Sequence, residues 1–227
     1  LENYLPGIEF SIDNEILWQE PNDNFLHHEL IELNDGNYLG LIETTQLGPI
    51  PADGSWTSSF QLLGYEADGI TNEYPWVGDK IVIWDSNTHQ IIWEWDSFNH
   101  FSMLDYDEEA TWSLALSISR FDWTHANALW PTYNDNDDLE SIYISSRHLS
   151  RITKIDYPSG NIDWNMGLEM PSGDVHCGQD INFSFQHSLI VEDNGNIIFL
   201  DNGNLSQSLN NTAFPTSRGL EIEIIDE

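Results

Sequence analysis

Three histidines at matching places along the chain are the residues best suited to chemistry. His28 stands eight residues before Gly36, and His187 stands eight residues before Gly195. His125 opens a related segment that has a longer loop. If these segments are repeats, the three imidazoles occupy equivalent places and can act together. Near pH 7 an imidazole can attack an electrophile, move a proton or bind a metal.

Three converging imidazoles could form either a metal site or an anion site. Zinc binds three histidines and a water, but the sequence shows no carboxylate at an equivalent place beside each histidine to orient its ring. Arg147 ends a predicted strand in the same repeat as His125, and its charge would repel a divalent cation. A guanidinium instead binds the oxygens of a tetrahedral anion through its planar fork. We therefore predict a site for a sulfate- or phosphate-type group, without a metal or cofactor.

The charge balance makes such a cation unusual. The chain has 227 residues, with 39 Asp and Glu against six Lys and Arg, and a formal net charge of −33. A surface this acidic repels polyanions, so we exclude nucleic acid and anionic membrane surfaces as partners. An anion site must then be built locally around one of the few cations. These are Lys80, Arg120, Arg147, Arg151, Lys154 and Arg218.

The elements that position these residues are predicted to be β-strands in a repeat. Short runs of Ile, Val, Trp and Tyr alternate with Asn, Asp and Gly turns, which is typical of all-β proteins. A strand ending in Asp, followed by a strand that carries Trp, recurs at intervals of 70 to 72 residues. In the four copies, the Asp that ends the first strand of this two-strand pattern is Asp13, Asp85, Asp156 or Asp226.

One complete repeat has four antiparallel strands, as in a β-propeller blade. The first begins at the histidine, the second follows a turn, the third ends in Asp and the fourth carries Trp. The first strand of each blade lines the central channel, so the three histidines should meet at one mouth of it. We predict one domain over 1–227, with blades near 28–95, 125–165 and 187–226 and two strands of a preceding blade near 8–18.

These strands make about three and a half blades, whereas propellers usually close with about four to eight. The chain is then either a four-bladed ring or part of a larger one. We favour the second interpretation, because both termini fall inside a blade. Insertions near 44–78, 96–124 and 166–184 fit loops on one face.

Several segments resemble the bacterial arylsulfate sulfotransferases that work without a nucleotide sulfate donor. The segments are Phe25-Leu26-His27-His28-Glu29, Trp123-Thr124-His125-Ala126-Asn127, Ile144-Ser145-Ser146-Arg147-His148, Gln186-His187, Phe199-Leu200-Asp201-Asn202-Gly203 and Ser217-Arg218-Gly219-Leu220-Glu221. The resemblance runs from about residue 8 to the end and implies a six-bladed propeller. It also implies a periplasmic or extracellular protein. An insertion at 131–139 departs from the family pattern.

The resemblance implies a role for each candidate. A sulfuryl group would move from a phenolic sulfate ester to a phenol through a sulfohistidine, so the partners are small molecules. His187 matches the nucleophile, and Arg147 matches the essential arginine. His125 and His28 match the other two histidines, one of which would exchange a proton with the phenol. Asn127 is expected to contact the sulfuryl oxygens. The oligomeric state stays open, a homo-oligomer included.

A non-catalytic propeller used as a binding or extracellular assembly module is the alternative. It explains the predicted fold and the acidity. It does not explain why three histidines and an arginine occur together.

Two further sets of side chains have open or structural interpretations. By strand alternation, His27 and His148 should point away from His28 and Arg147. Aromatic residues of the predicted insertions could stack on phenols or pack within blades. They are Trp56, Tyr74, Trp76, Trp123 and Trp130.

Overall fold

The computed structural model describes residues 6–21, 26–107 and 111–225. The strands in these ranges are β1 (Ile8–Phe10), β2 (Ile16–Gln19), β3 (Leu26–Glu32), β4 (Tyr38–Pro49), β5 (Asn72–Trp84), β6 (Ile91–Asp96), β7 (Phe121–Asp122), β8 (Ala126–Tyr133), β9 (Leu139–Ser146), β10 (Arg151–Asp156), β11 (Ile162–Gly167), β12 (His187–Val191), β13 (Ile197–Asp201) and β14 (Arg218–Ile222). The helices are α1 (Thr57–Leu62), α2 (Ser97–His100), α3 (Thr111–Ile118) and α4 (Ser206–Leu209).

The strands form antiparallel sheets in chain order. The orders β3-β4-β5-β6 and β8-β9-β10-β11 give two blade-like sheets of four strands, and β12-β13-β14 gives a third sheet of three described strands. β1 and β2 form a separate hairpin. The all-β class and the four-stranded unit are confirmed. Asp226, which ends the last predicted strand, lies outside the described residues, and closure of a six-bladed ring stays a prediction.

The first strands of the three sheets lie side by side. β8 contacts both β3 and β12. This is the arrangement expected of the innermost strands of neighbouring propeller blades. Because each of these strands begins at or next to a histidine, the packing brings residues far apart in sequence to one place.

A two-stranded extension of the first sheet, residues 43–79, projects beyond β3; we call it the arm. β4 and β5 stay paired from Glu43 with Asp79 to Pro49 with Asn72, although β3 starts only at Leu26, opposite Ile42. The sequence predicted a loop insertion near 44–78, but the loop with its helix α1 occupies only 50–71. Since β3 begins at its histidines, the arm leaves the sheet on the histidine side.

A cluster of aromatic residues fixes the base of the arm. β7 pairs in parallel with β5, with Phe121 opposite Trp76 and Asp122 opposite Val77. Phe121 is fully buried, and its ring stacks on that of Trp112 with centroids 4.0 Å apart. Burial of side chains this large stabilises the fold by about 1.5–3 kcal/mol each. The packing therefore places Asp122, the next residue, at a defined position.

No helix among the described residues is long and apolar enough to span a membrane.

Candidate functional site

The three predicted histidines meet around His28. The centroid of its ring lies 5.8 Å from that of His125 and 5.8 Å from that of His187. The three residues belong to three different sheets or their leading turns. His28 is exposed, and the other two are partly buried. The structure thus brings the rings together, as the repeat predicts.

β-Bulges aim these histidines. In all three first strands the pairing with the second strand skips residues near the start, and such bulges often redirect a side chain at a site. The histidines do not share one register position: His187 pairs with Leu200, whereas His28 lies within the bulge and His125 precedes the first pair. His28 and His125 have left-handed backbones, with φ of 58° and 47°, a conformation that is uncommon outside glycine.

Arg147 lies in the turn after β9, beside the histidines. Its guanidinium donates to Nε2 of His148 over 2.7 Å and sits 4.8 Å above the ring centre of Phe185. Nδ1 of His148 donates to the carbonyl oxygen of Asp122 over 2.6 Å. Burial lowers the pKa of His148 to about 4, so this neutral ring can accept from the arginine. The prediction that His148 points away was wrong, because strand alternation does not apply within a turn.

Arg147 is also the cation without a carboxylate partner in the part of the chain that the structure describes. Every other Lys and Arg forms an ion pair with Asp or Glu: Lys80, Arg120, Arg151, Lys154 and Arg218. Burial lowers the pKa of Arg147, but a guanidinium stays protonated in proteins. Its charge is therefore available to an anion.

Asp122 orients His125. Its Oδ2 lies 2.6 Å from Nδ1 of His125. Burial alone would raise the pKa of Asp122, but the hydrogen bond from His125, with the charges of His125, His148 and Arg120, lowers it overall. The ionised carboxylate accepts the Nδ1 proton and leaves Nε2 of His125 for the site. Asp122 is a carboxylate partner of this one ring, so the prediction that no equivalent carboxylate stands beside each histidine is not contradicted.

Asp79 reaches His28 through a second histidine. Oδ1 of Asp79 lies 3.0 Å from Nε2 of His27, and Nδ1 of His27 lies 2.8 Å from Nδ1 of His28. The prediction that His27 points away from His28 was wrong, because the bulge breaks alternation between them. Asp79 stands in the long strand β5, and no local pattern in the sequence connects it to the histidines.

His28 and His187 both favour the neutral form. Partial burial, and then the charges that His27, His125 and His187 would carry, lower the pKa of His28 to about 4. Burial, and then the charges of Arg147 and His125, lower the pKa of His187. No hydrogen bond to the His187 ring occurs among the described residues. A neutral imidazole with a free lone pair is the form that can act as a nucleophile.

Gln186 and Asn127 hold the start of β12 against the second sheet. Nε2 of Gln186 donates to Oγ of Ser145 and to the carbonyls of Ser146 and Arg151 over 3.0, 3.2 and 2.9 Å. Nδ2 of Asn127 donates to the carbonyl of Gln186 over 2.8 Å. Asn127 is 2% exposed. Its hydrogen bond to the carbonyl of Gln186 positions the residue that precedes His187, the predicted nucleophile. Its contact with sulfuryl oxygens stays a prediction.

A possible metal-ligand set coincides with this site but is already engaged. Donor atoms of Asp122, His125 and His148 lie within 4.8 Å of one another. Nδ1 of His125 bonds to Asp122, and both nitrogens of His148 bond to other groups. The adjacent guanidinium of Arg147 would also repel a cation. The cluster is better suited to hydrogen bonding than to metal binding.

The aromatic candidates divide by burial. Tyr74, Trp76 and Trp123 are at most 2% exposed and belong to the core, so the packing interpretation holds for them. Trp56 lines a cavity of about 250 Å³ on the arm, together with Trp112 and others. Trp130 packs against a buried cluster that includes Tyr143, Ile152 and Leu189.

A family model described as Arylsulfotransferase (ASST) matches residues 62–224. The chain belongs to the arylsulfotransferase family. His125, Arg147 and His187 lie within the matched stretch, and His28 lies before it. A comparison with curated protein sequences gave no match. The crystal structure of a protein of unknown function from Bacteroides caccae is similar at 10% identity, over 95% of this arylsulfotransferase-family chain and 71% of that one, with a TM-score of 0.35.

Proposed function

We propose that this protein moves a sulfuryl group from an aryl sulfate to a phenol through a sulfated His187. The observation that carries the proposal is the meeting of three imidazoles with Arg147, which has no carboxylate partner among the described residues, in a chain of net charge −33. Membership of the arylsulfotransferase family supports this substrate class.

The first half-reaction forms an N–S bond. A neutral ring nitrogen of His187 attacks sulfur, and the sulfur–oxygen bond to the aryl group breaks. Its electron pair leaves on the phenolate oxygen, which takes up a proton. In the second half-reaction the acceptor phenol gives its proton to a base, its oxygen attacks sulfur, and the N–S bond breaks to restore His187. Such covalent catalysis splits a difficult transfer into two easier steps.

Electrostatic positioning supplies most of the expected rate gain. As in phosphoryl transfer, the transferred group carries charge on its equatorial oxygens, which fixed donors stabilise. Arg147 would bind these oxygens, since His148 and Phe185 already hold its guanidinium in place. His125, oriented by Asp122, adds a second group to the same place.

The proposal is tested with His187→Ala in the full chain. We expect a loss of at least about 1,000-fold in release of nitrophenol from nitrophenyl sulfate with phenol as acceptor, because no covalent intermediate can form. The matched control is His89→Ala, whose ring contacts the carbonyl of Gln19 and stacks on Trp18, outside the histidine cluster.

Mass spectrometry of the acid-quenched donor reaction supplies the second readout. The wild-type peptide containing His187 should gain the mass of one sulfuryl group, and the alanine variant should not. A His187→Ala variant as active as wild type would end the assignment. A folded wild-type protein that never turns over aryl sulfates would favour the non-catalytic binding module.

The proposal places the protein in the periplasm or the extracellular space, as the family resemblance implies. Its partners are then a small aryl sulfate donor and a phenol acceptor.

A further inference from the structure

We infer that Asp79 and His27 are positioning residues that hold Nε2 of His28 as the proton acceptor for the phenol hydroxyl. This inference rests on the proposed function and identifies one of its two unassigned histidines as the base.

Two contacts decide where the protons lie. Oδ1 of Asp79 carries only lone pairs and would repel a ring lone pair 3.0 Å away, so the proton of His27 lies on Nε2. Neutral His27 then has a lone pair on Nδ1. The 2.8 Å contact between the two Nδ1 atoms needs one proton, which His28 must supply. Nε2 of His28 is left with its lone pair.

Asp79 is itself held from a second direction. Its Oδ2 accepts from the hydroxyl of Thr124 and, over 2.6 Å, from the backbone N–H of Ala126. Its side chain is only 4% exposed, and that of His27 is 11% exposed. The carboxylate therefore has a fixed orientation. Because Thr124 and Ala126 flank His125, the same carboxylate locates two histidines of the site relative to each other.

When His28 accepts a proton, a second proton transfer can move the positive charge from His28 to His27. As the phenol oxygen attacks sulfur, its proton moves to Nε2 of His28. The Nδ1 proton of His28 can then shift to His27, whose positive charge faces the carboxylate of Asp79. Besides Asp79, His27 and His28 themselves, the titratable groups nearby are His125, His187 and Glu43. In the first half-reaction Nε2 of His28 holds no proton, so the leaving phenolate takes its proton from water. After the second half-reaction His28 returns its proton to water, which balances the cycle.

Asp79→Asn should reverse the direction of the hydrogen bond between His27 and His28. If the amide oxygen keeps the bonds from Thr124 and Ala126, its NH₂ group faces Nε2 of His27. His27 must then carry its proton on Nδ1 and donate to His28. The proton of His28 moves to Nε2, so the base becomes a donor. The general case is known: an Asn in place of a carboxylate that orients a catalytic histidine selects the wrong tautomer.

The experiment compares wild type, Asp79→Asn and Asp68→Asn in the full chain. Asp68 is a matched control, because it also accepts from a threonine hydroxyl and from backbone N–H groups but contacts no histidine. Nitrophenyl sulfate is the donor, because its leaving group needs little protonation, and phenol is the acceptor.

For Asp79→Asn we expect the first burst of nitrophenol to survive while steady-state transfer to phenol falls by about 100-fold or more. Sulfated His187 should accumulate in quenched samples. ¹⁵N NMR of the imidazoles should show the proton of His28 moving from Nδ1 to Nε2. Asp68→Asn should match wild type in all three measurements.

The outcomes separate this inference from the proposed function. Equal losses of burst and turnover, an unchanged His28 tautomer, or steady-state transfer within about twofold of wild type would overturn the inference. If Asp79→Asn does not fold, His27→Gln carries the same expectations for the burst and for sulfated His187. Wild-type protein without sulfated His187 would overturn the proposed function, and this inference with it.

Discussion

At the scale of single residues, the site is defined by ring nitrogens that have fixed partners. His27 holds His28, Asp122 holds His125, and His148 is held between Arg147 and a backbone carbonyl. Each contact leaves an imidazole with one defined role, because a neutral ring has one donor and one acceptor. The proposed reactivity therefore depends on the group that orients each ring as much as on the ring itself.

The neutral state of buried His148 has a measurable effect on stability. Its pKa is lowered from 6.5 to about 4 in the folded protein, so between these values the unfolded chain binds the proton and the folded one does not. The stability is then fully present above pH 6.5 and is lost as the pH falls toward 4. From pH 7.5 to pH 5, wild type should lose about 2 kcal/mol more than His148→Asn.

Urea unfolding of both proteins at the two pH values checks this expectation. The comparison cancels the titration of groups that do not interact with His148. Parallel losses in the two proteins would contradict the assignment of a neutral, buried ring.

At the scale of elements, the site depends on junctions between sheets. Gln186 links the third sheet to three acceptors of the second, and Asp79 links the first sheet to the start of β8. Gln186 directly precedes His187, and Asp79 binds the backbone N–H of Ala126, which directly follows His125. Loss of a junction should therefore affect both stability and catalysis.

Gln186→Leu tests the junction between the second and third sheets. The change removes an NH₂ group whose two hydrogens are shared among three buried acceptors, and we expect a loss of about 2–4 kcal/mol in the free energy of unfolding. The control is Gln207→Leu, because the exposed side chain of Gln207 donates to the carbonyl of Ala213 and to no other group among the described residues. It should stay within about 0.5 kcal/mol of wild type. Equal effects of the two changes in urea unfolding would show that the junction adds nothing.

At the scale of the whole molecule, the charge of −33 is distributed in two ways. Many of the acidic residues are exposed, where they repel one another. A few, including Asp79, Asp105 and Asp201, are at most 3% exposed and hold a histidine or an arginine. The amount of acid alone suggests that it all lies on the exterior, but these buried carboxylates show that part of it has a structural role.

Repulsion among the exposed carboxylates predicts the response to salt. Raising NaCl from about 20 to about 500 mM shortens the range of these interactions. We expect a gain of about 1–2 kcal/mol, or about 2–8 °C in melting temperature for a chain of this length. Thermal unfolding followed by circular dichroism checks it, with KCl as the control for specific ion binding. A lower melting temperature in salt would mean that pairs such as Lys80 with Glu94 outweigh the repulsion.

The sequence alone predicted four-stranded units and a histidine at or near the start of each first strand. The repeated histidine and the Asp and Trp signals follow from strand periodicity and turn chemistry, which are local. They were enough to predict four-stranded units and the meeting of His28, His125 and His187. The scarcity of cations singled out Arg147 before any contact was known.

Only the tertiary structure decided which groups orient these side chains. Asp79 lies in the middle of β5, 47 residues from the N–H of Ala126 that it binds, and a periodic pattern shows that a residue is buried without naming its partner. The contacts of His27 and His148 lie in a bulge and a turn, where strand alternation fails. Orientation at this site arises from packing between sheets, and that depends on contacts between residues distant in the chain.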